Sequence, residues 1–150
     1  MDTTPRQLRL IIETDDFAET VRFYRDVLGM GEQPAFATGG EDRVAILHAG
    51  LATIEVASAA HARAIDEVEG APPVDGVTLR LALEVDDTAA TVAATEQAGV
   101  RTIAPPVRTP FRTLNARVQG PAGWQVTFFQ ELESLDERAR REGFSTDAQR

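Results

Sequence analysis

The residues able to do chemistry in this chain are few in kind. There is no cysteine, and all 15 basic residues are arginine, because lysine is absent. Disulfides, thiolate metal sites, cysteine nucleophiles and lysine Schiff bases, covalently held pyridoxal phosphate among them, are therefore excluded. Proton transfer near neutral pH falls to His48 and His61, the 2 histidines, or to a carboxylate whose pKa an apolar pocket has raised. Arginine supplies forked donors for a carboxylate, a carbonyl or an anion. The arginines and glutamates recur in register. The stretch LRLIIETDD at 8–16 lies over LRLALEVDD at 79–87, an offset of 71 residues, with six of nine positions identical. Strand alternation sends Arg9, Ile11 and Glu13 to one face, and Arg80, Ala82 and Glu84 to the equivalent face of the second copy. By the same logic Thr53, Glu55 and Ala57 share that face with Gln125, Thr127 and Phe129.

The elements that must position these residues follow from the repeat. An offset near 70 exceeds the roughly 20–50 residues of solenoid repeats and fits two copies of a small α+β module. Leu8–Thr14 alternates as a strand. The stretch DFAETVRFYRDVLGMG at 16–31 then reads as one amphipathic helix. Asp16 caps it, Glu19 completes a capping-box pattern, and Gly29 ends it in the left-handed conformation. Phe17, Thr20, Val21, Tyr24, Val27 and Leu28 form its apolar face. Short strands are expected at Gln33–Thr38, Arg43–His48 and Leu51–Ala57, with glycines at the turns. The second copy has a strand at Thr78–Val85, a helix at Thr88–Ala98, and strands around Arg101–Ile103, Thr113–Gln119 and Trp124–Gln130. Pro105, Pro106 and Pro110 predict a loop between the first two of these strands. The modules span about 7–58 and 77–131, within a single domain at 1–131. Residues 59–76 form the linker, with a helical turn at His61–Val68, and 132–150 are a charged tail that is mostly solvated and frays after Gly143.

Composition narrows the function classes. With 43% hydrophobic and 26% charged residues among 150, a globular fold is expected. No apolar run approaches the roughly 20 residues of a membrane span, and MDTTPRQ has no signal-peptide core, so a cytoplasmic location is expected. A formal charge of −9 argues against nucleic acid and favours encounter with cationic small molecules.

The run Phe23-Tyr24-Arg25-Asp26-Val27-Leu28-Gly29 after a strand ending in Asp15-Asp16, and the turn Gly120-Pro121-Ala122-Gly123-Trp124 before the last strand, resemble the vicinal oxygen chelate superfamily. That superfamily includes glyoxalase I, extradiol dioxygenases, fosfomycin-resistance enzymes and bleomycin-binding proteins. The resemblance covers about residues 7 to 131 and implies an α+β fold, two tandem βαβββ modules forming cupped mixed β-sheets with helices on the outside. In metal-dependent members four inward strand positions hold an ion. They map to Arg9, Glu55, Arg80 and Thr127, of which Glu55 alone is a usual ligand. Arginine does not deprotonate to bind a divalent ion, and threonine is a weak donor. The match is therefore to the metal-free, bleomycin-resistance-like branch, with no metal and no cofactor expected.

Two uses of the inward charges stay open. Arg9 and Arg80 pair with Glu55, Glu13 or Glu84 and fill the old metal site, or they address a ligand carbonyl or anion while the glutamates take its cationic groups. Phe111 and Trp124 lie near turns at the cavity rim, where their faces can stack on a planar ligand. Phe36, Phe129 and Tyr24 read as core, His48 as a surface turn residue and His61 as solvated. The expected ligand-binding set is Arg9, Glu55, Arg80, Glu84, Phe111, Trp124 and Thr127. The function expected is sequestration of an antibiotic or metabolite, a small organic ligand, aromatic and cationic or amphoteric. The alternative is a metal-independent lyase, isomerase or cyclase with Glu55 as base and Arg9 or Arg80 stabilising an oxyanion. A metal-dependent glyoxalase or dioxygenase ranks third. The superfamily's pairing habits imply a homodimer.

Overall fold

The computed structural model describes residues 2–27, 29–73, 75–76, 79–120 and 125–150. The first copy of the repeat opens with β1 (Gln7–Thr14) and α1 (Phe17–Val21). Asp16 caps α1, accepting from the Glu19 N–H at 3.1 Å. The reciprocal half of the expected capping box is not made, because the Glu19 carboxylate turns to the Arg22 guanidinium instead, at 2.6 Å. The chain then winds wider, as a π-helix over Arg22–Val27. That wider turn ends with the Met30 N–H on the Tyr24 carbonyl at 3.2 Å, and Arg25 bridges to Glu32 at 3.0 Å. Gly29 follows at φ 71°, the left-handed turn expected of it. Leu28, assigned above to the apolar face, lies outside the described residues.

The single strand expected at Gln33–Thr38 is two short ones, β2 (Glu32–Gln33) and β3 (Ala35–Phe36). Pro34 separates them, since it has no N–H to give a ladder. β4 (Val44–Ala49), β5 (Ala52–Ser58) and α2 (Ala59–Glu69) follow. The second copy comprises β6 (Leu79–Glu84), α3 (Thr88–Gln97), β7 (Thr102–Arg108), β8 (Thr113–Gln119) and β9 (Gln125–Glu131). Pro105 and Pro106 do not break β7 into a loop. They are exposed on an edge strand, and the register slips between Ala104 and Val107 to pass them.

The strands form one mixed sheet in the order β2-β4-β5-β1-β6-β9-β8-β7. β1 runs parallel to β5, β6 parallel to β9, and β1 and β6 join the modules antiparallel. On one face α1 buries Phe17 and Val21 against Ala45, Leu47 and Val56. α3 buries Val92 against Ala116, Val118 and Phe128 on the same face. α2 lies on the opposite, cupped face. The connection is thus a full helix, capped by Ser58, whose side chain accepts from the His61 N–H, and closed by Gly70 at φ 71°.

The C-terminal residues return to the first module. α4 (Leu135–Ala139) carries a capping box between Ser134 and Glu137, and β10 (Phe144–Ser145) pairs with β3. The chain does not fray after Gly143. Phe144 is buried, its ring 5.5 Å from that of Phe36, and Arg150 donates to the carbonyls of Val44, Ser145 and Ala35. Among the described residues no helix is long and apolar enough to cross a membrane.

Candidate functional site

Alternation on the cupped face builds the site. β1 presents Arg9 and Ile11, β4 Val44 and Ile46, β5 Glu55, β6 Ala82, β8 Thr113 and Asn115, and β9 Thr127 and Phe129. α2 adds His61, Ile65 and Glu69, the end of β9 adds Glu131, and the C-terminal segment adds Arg138 and Phe144. Together they line a half-open cleft with an inner volume of about 90 Å³. At about 30 Å³ per water, that is room for a few waters or one end of a small molecule.

The four positions of the expected metal site are occupied by internal pairs. Arg9 donates from Nε to Thr53 Oγ1 at 3.1 Å, stands 3.5 Å from Glu55, and covers the Phe129 ring at 5.0 Å. Arg80 is bound to Asp66 at 2.5 Å. Thr127 donates to Glu69 at 3.3 Å. Two of the four are guanidinium donors already held by carboxylates, so this set does not fit a divalent ion. Among the described residues no group of three or more His, Asp and Glu side chains is arranged to hold one.

The centre of the polar network escaped the sequence reading. Arg117, 1% exposed, places Nε and Nη2 on Glu69 at 2.9 and 2.5 Å and Nη1 on Asp66 at 2.8 Å. It also donates to Gln125 at 3.2 Å. Asn115 adds its amide to Glu69 at 3.0 Å. Asp66 and Glu69, three residues apart on one helix face, thus neutralise Arg80 and Arg117 of the second module. The signal available was β8 alternation, which puts Asn115 and Arg117 on the face of Thr113.

His61 is the other correction. It is 4% exposed, and its Nδ1 is 2.5 Å from Asp42. Asp42 also accepts from the Thr38 N–H and hydroxyl at 2.8 and 2.7 Å. Burial pushes the Asp42 carboxyl up, but the Thr38 and His61 hydrogen bonds together outweigh it and hold the group below its ordinary range. His48 is exposed, as expected.

Of the expected binding set, Arg9, Glu55, Phe111 and Thr127 line the cavity. Phe111 sits 6.0 Å from Phe36, which lines it too. Arg80 and Glu84 do not: Arg80 is drawn to Asp66, and Glu84 pairs with Arg6 at 3.0 Å. Trp124, with Pro121, Ala122 and Gly123 of its turn, lies outside the described residues.

The family model for the glyoxalase/bleomycin resistance protein/dioxygenase superfamily matches residues 6–128. The chain belongs to this superfamily. No curated protein sequence matches it. Solved structures of the glyoxalase fold do. A hypothetical protein from Bacillus halodurans C-125 shares 15% identity at a TM-score of 0.62, covering 89% of this chain and 98% of its own. Methylmalonyl-CoA epimerase shares 14% at 0.60, covering 89% and 99%. A mutant of 4-hydroxymandelate synthase from Streptomyces coelicolor shares 18% at 0.59, covering 87% of this chain and 39% of that longer one. At such identities the likeness is one of fold, and enzymes stand among these neighbours.

Proposed function

We propose that this superfamily member works without a metal, binding a small organic ligand in the cupped cavity and sequestering an antibiotic or metabolite. The observation that supports this is the pairing at the old metal positions: Arg9 with Glu55, and Arg80 with Asp66. Each pair presents forked donors and carboxylate acceptors, the groups that hold a ligand by hydrogen bonds. The apolar lining, with Phe36, Phe111, Phe129 and Phe144, gives a planar body its surface. Mass spectrometry of ligands carried by the purified protein tests the reading. A compound recovered unmodified after long incubation, with no stoichiometric zinc, nickel, manganese or iron, is the expected outcome. A bound transition metal at Glu55 would overturn it.

One observation favours a second reading. Glu55 lines the cavity and its contact with Arg9 is long, at 3.5 Å. A metal-independent lyase, isomerase or cyclase would use Glu55 as base and Arg9 beside the developing oxyanion. Repeated turnover, abolished by Glu55→Gln without loss of fold, would establish that reading instead.

A further inference from the structure

Most polar side chains around the cavity are spent on one another. Arg117 holds Glu69, and Arg138 is held by Glu131. The Arg9–Glu55 pair is different. Arg9 gives Nε to Thr53 and Nη2 to Gln7, while Nη1 stands 3.5 Å from Glu55, close enough for attraction but beyond a good hydrogen bond. Among the described residues no hydrogen bond reaches Nη1 or either carboxylate oxygen of Glu55. Both side chains line the cavity and are 13% exposed, so these atoms open into it. Asn115 leaves a third group: its amide nitrogen is committed to Glu69, and Oδ1 is a buried acceptor without a partner. His61 does not discriminate between ligands, because its second ring nitrogen accepts in one protonation state and donates in the other.

The open groups are thus a donor on a cation and two acceptors, one of them an anion. A ligand made only of acceptors leaves Glu55 and Asn115 unmatched, and one made only of donors leaves Arg9 unmatched. Charge narrows the choice further. The guanidiniums of Arg9, Arg117 and Arg138 balance the carboxylates of Glu55, Glu69 and Glu131 around the cavity. Glu55 is the one counter-charge of Arg9 among the described residues. An ammonium or a carboxylate entering here takes one member of the pair and strands the other at a partly buried site. A carbonyl and an N–H on one neutral group match both members and leave the pair balanced. In an amide these two atoms are held about 2.3 Å apart by the C=O and C–N bonds. They face the same way in a primary amide or a lactam, and opposite ways in a trans secondary amide. We infer that this cavity recognises the neutral edge of a primary amide or lactam, its carbonyl accepting from Arg9 Nη1 and its N–H donating to Glu55. This deepens the ligand-binding reading above and rests on it. Asn115 takes a further N–H where the ligand carries one. The apolar body of such a ligand finds its surface in Phe129, which lies under the Arg9 guanidinium at 5.0 Å, and in Phe36 and Phe111.

Benzamide, benzamidine and benzoate share one shape. They present, in turn, a carbonyl and N–H without charge, donors with a positive charge, and acceptors with a negative one. Phenylglycine presents both charges at once. Each is titrated into the isotopically labelled full chain, and the backbone signals of Arg9 and Glu55 are followed by NMR, with exposed His48 as the internal reference. Benzamide should move the Arg9 and Glu55 signals saturably and leave His48 still, with a Kd about tenfold below those of the other probes. Glu55→Gln, once its melting curve shows it folded, removes the counter-charge of Arg9 and should reverse the order, so that benzoate binds more tightly than benzamide. The inference fails if benzamidine, benzoate or phenylglycine binds the parent chain as tightly as benzamide does. It fails equally if benzamide leaves Arg9 and Glu55 unmoved, or if the folded variant keeps the parent's preference. Any of these results, with no transition metal bound, removes the amide class and leaves the metal-free binding reading, tested by mass spectrometry, standing. A transition metal at Glu55 removes both.

Discussion

At the scale of single residues, the buried charges set the sharpest expectations. The Glu69 side chain is 2% exposed and is the main partner of an equally buried Arg117. Glu69→Gln leaves that guanidinium short of its counter-charge, and should destabilise the protein by about 3–5 kcal/mol in urea melts. Glu55→Gln should cost less, because Arg9 keeps Thr53 and Gln7 and both members of the pair are 13% exposed. Asp42 adds a pH dependence with a defined sign. Its folded pKa lies below the ordinary 3.8, so its stabilising contribution is present above that value and is lost as pH falls through the folded pKa. Asp42→Asn should therefore be less stable than the parent near neutrality, with the gap closing below pH 3.8; parallel melts against pH measure it. Arg9, Glu55 and Thr127 were legible because a two-residue period assigns a face. Their partners were not. Asp66 and Glu69 sit in a connection whose docking no local pattern encodes, and Arg117 lies 48 residues from Glu69 in the chain.

At the scale of elements, the internal repeat carried most of the fold. Matched strands β1 and β6 and matched helices α1 and α3 follow from one alignment of the chain on itself. Proline departs from expectation twice: Pro34 splits the one strand expected at Gln33–Thr38, and Pro105-Pro106, expected in a loop, lie in an edge strand that absorbs the missing donors by slipping register. The tail departs from expectation because its anchors are distant in sequence: Phe144 on Phe36, Asp147 on Arg43 and Arg150 on the carbonyls of Val44 and Ala35. Phe144 packs on Phe36 only if the chain turns at Gly143, at φ 87°, where an added Cβ would lie 2.8 Å from the Phe36 ring. Gly143→Ala should thus cost about 1–2 kcal/mol for the left-handed residue. It should also loosen the segment that walls the cavity. Limited proteolysis ought to cut the variant after Ala139 sooner than the parent, while the fold of residues 7–131 persists. Equal cleavage rates would show that β10 does not depend on this turn.

At the scale of the whole molecule, the repeat leaves a face that one copy does not cover. α1 covers β4 and β5, and α3 covers β8 and β9, so the central strands β1 and β6 lie between the helices. Their side chains on that face are Leu8, Leu10 and Ile12 opposite Leu83, Leu81 and Leu79. None is buried, and Leu8 and Leu79 are 44% and 37% exposed. The repeat equates Leu8 with Leu79, Leu10 with Leu81 and Ile12 with Leu83. The antiparallel register therefore gives the strip an approximate two-fold axis of its own, through Leu10 and Leu81. An isologous contact apposes the same patch of two copies, and an apolar strip is complementary to a second copy of itself. The sheet edges offer no such partner: β2 is two residues long, and β7 carries exposed prolines. We propose a homodimer closed across this strip, with Leu8 and Leu79, at 44% and 37% exposed, each contributing roughly 1 kcal/mol on burial. The net charge of −9 opposes the approach of two copies, so association should strengthen with added salt. Light scattering should return twice 16.3 kDa at micromolar protein. The double substitution Leu8→Asp and Leu79→Asp should return the monomer mass with unchanged circular dichroism. A wild-type mass of 16.3 kDa would overturn the dimer. A dimer that survives the double substitution would place the contact elsewhere and leave the leucine strip without a partner.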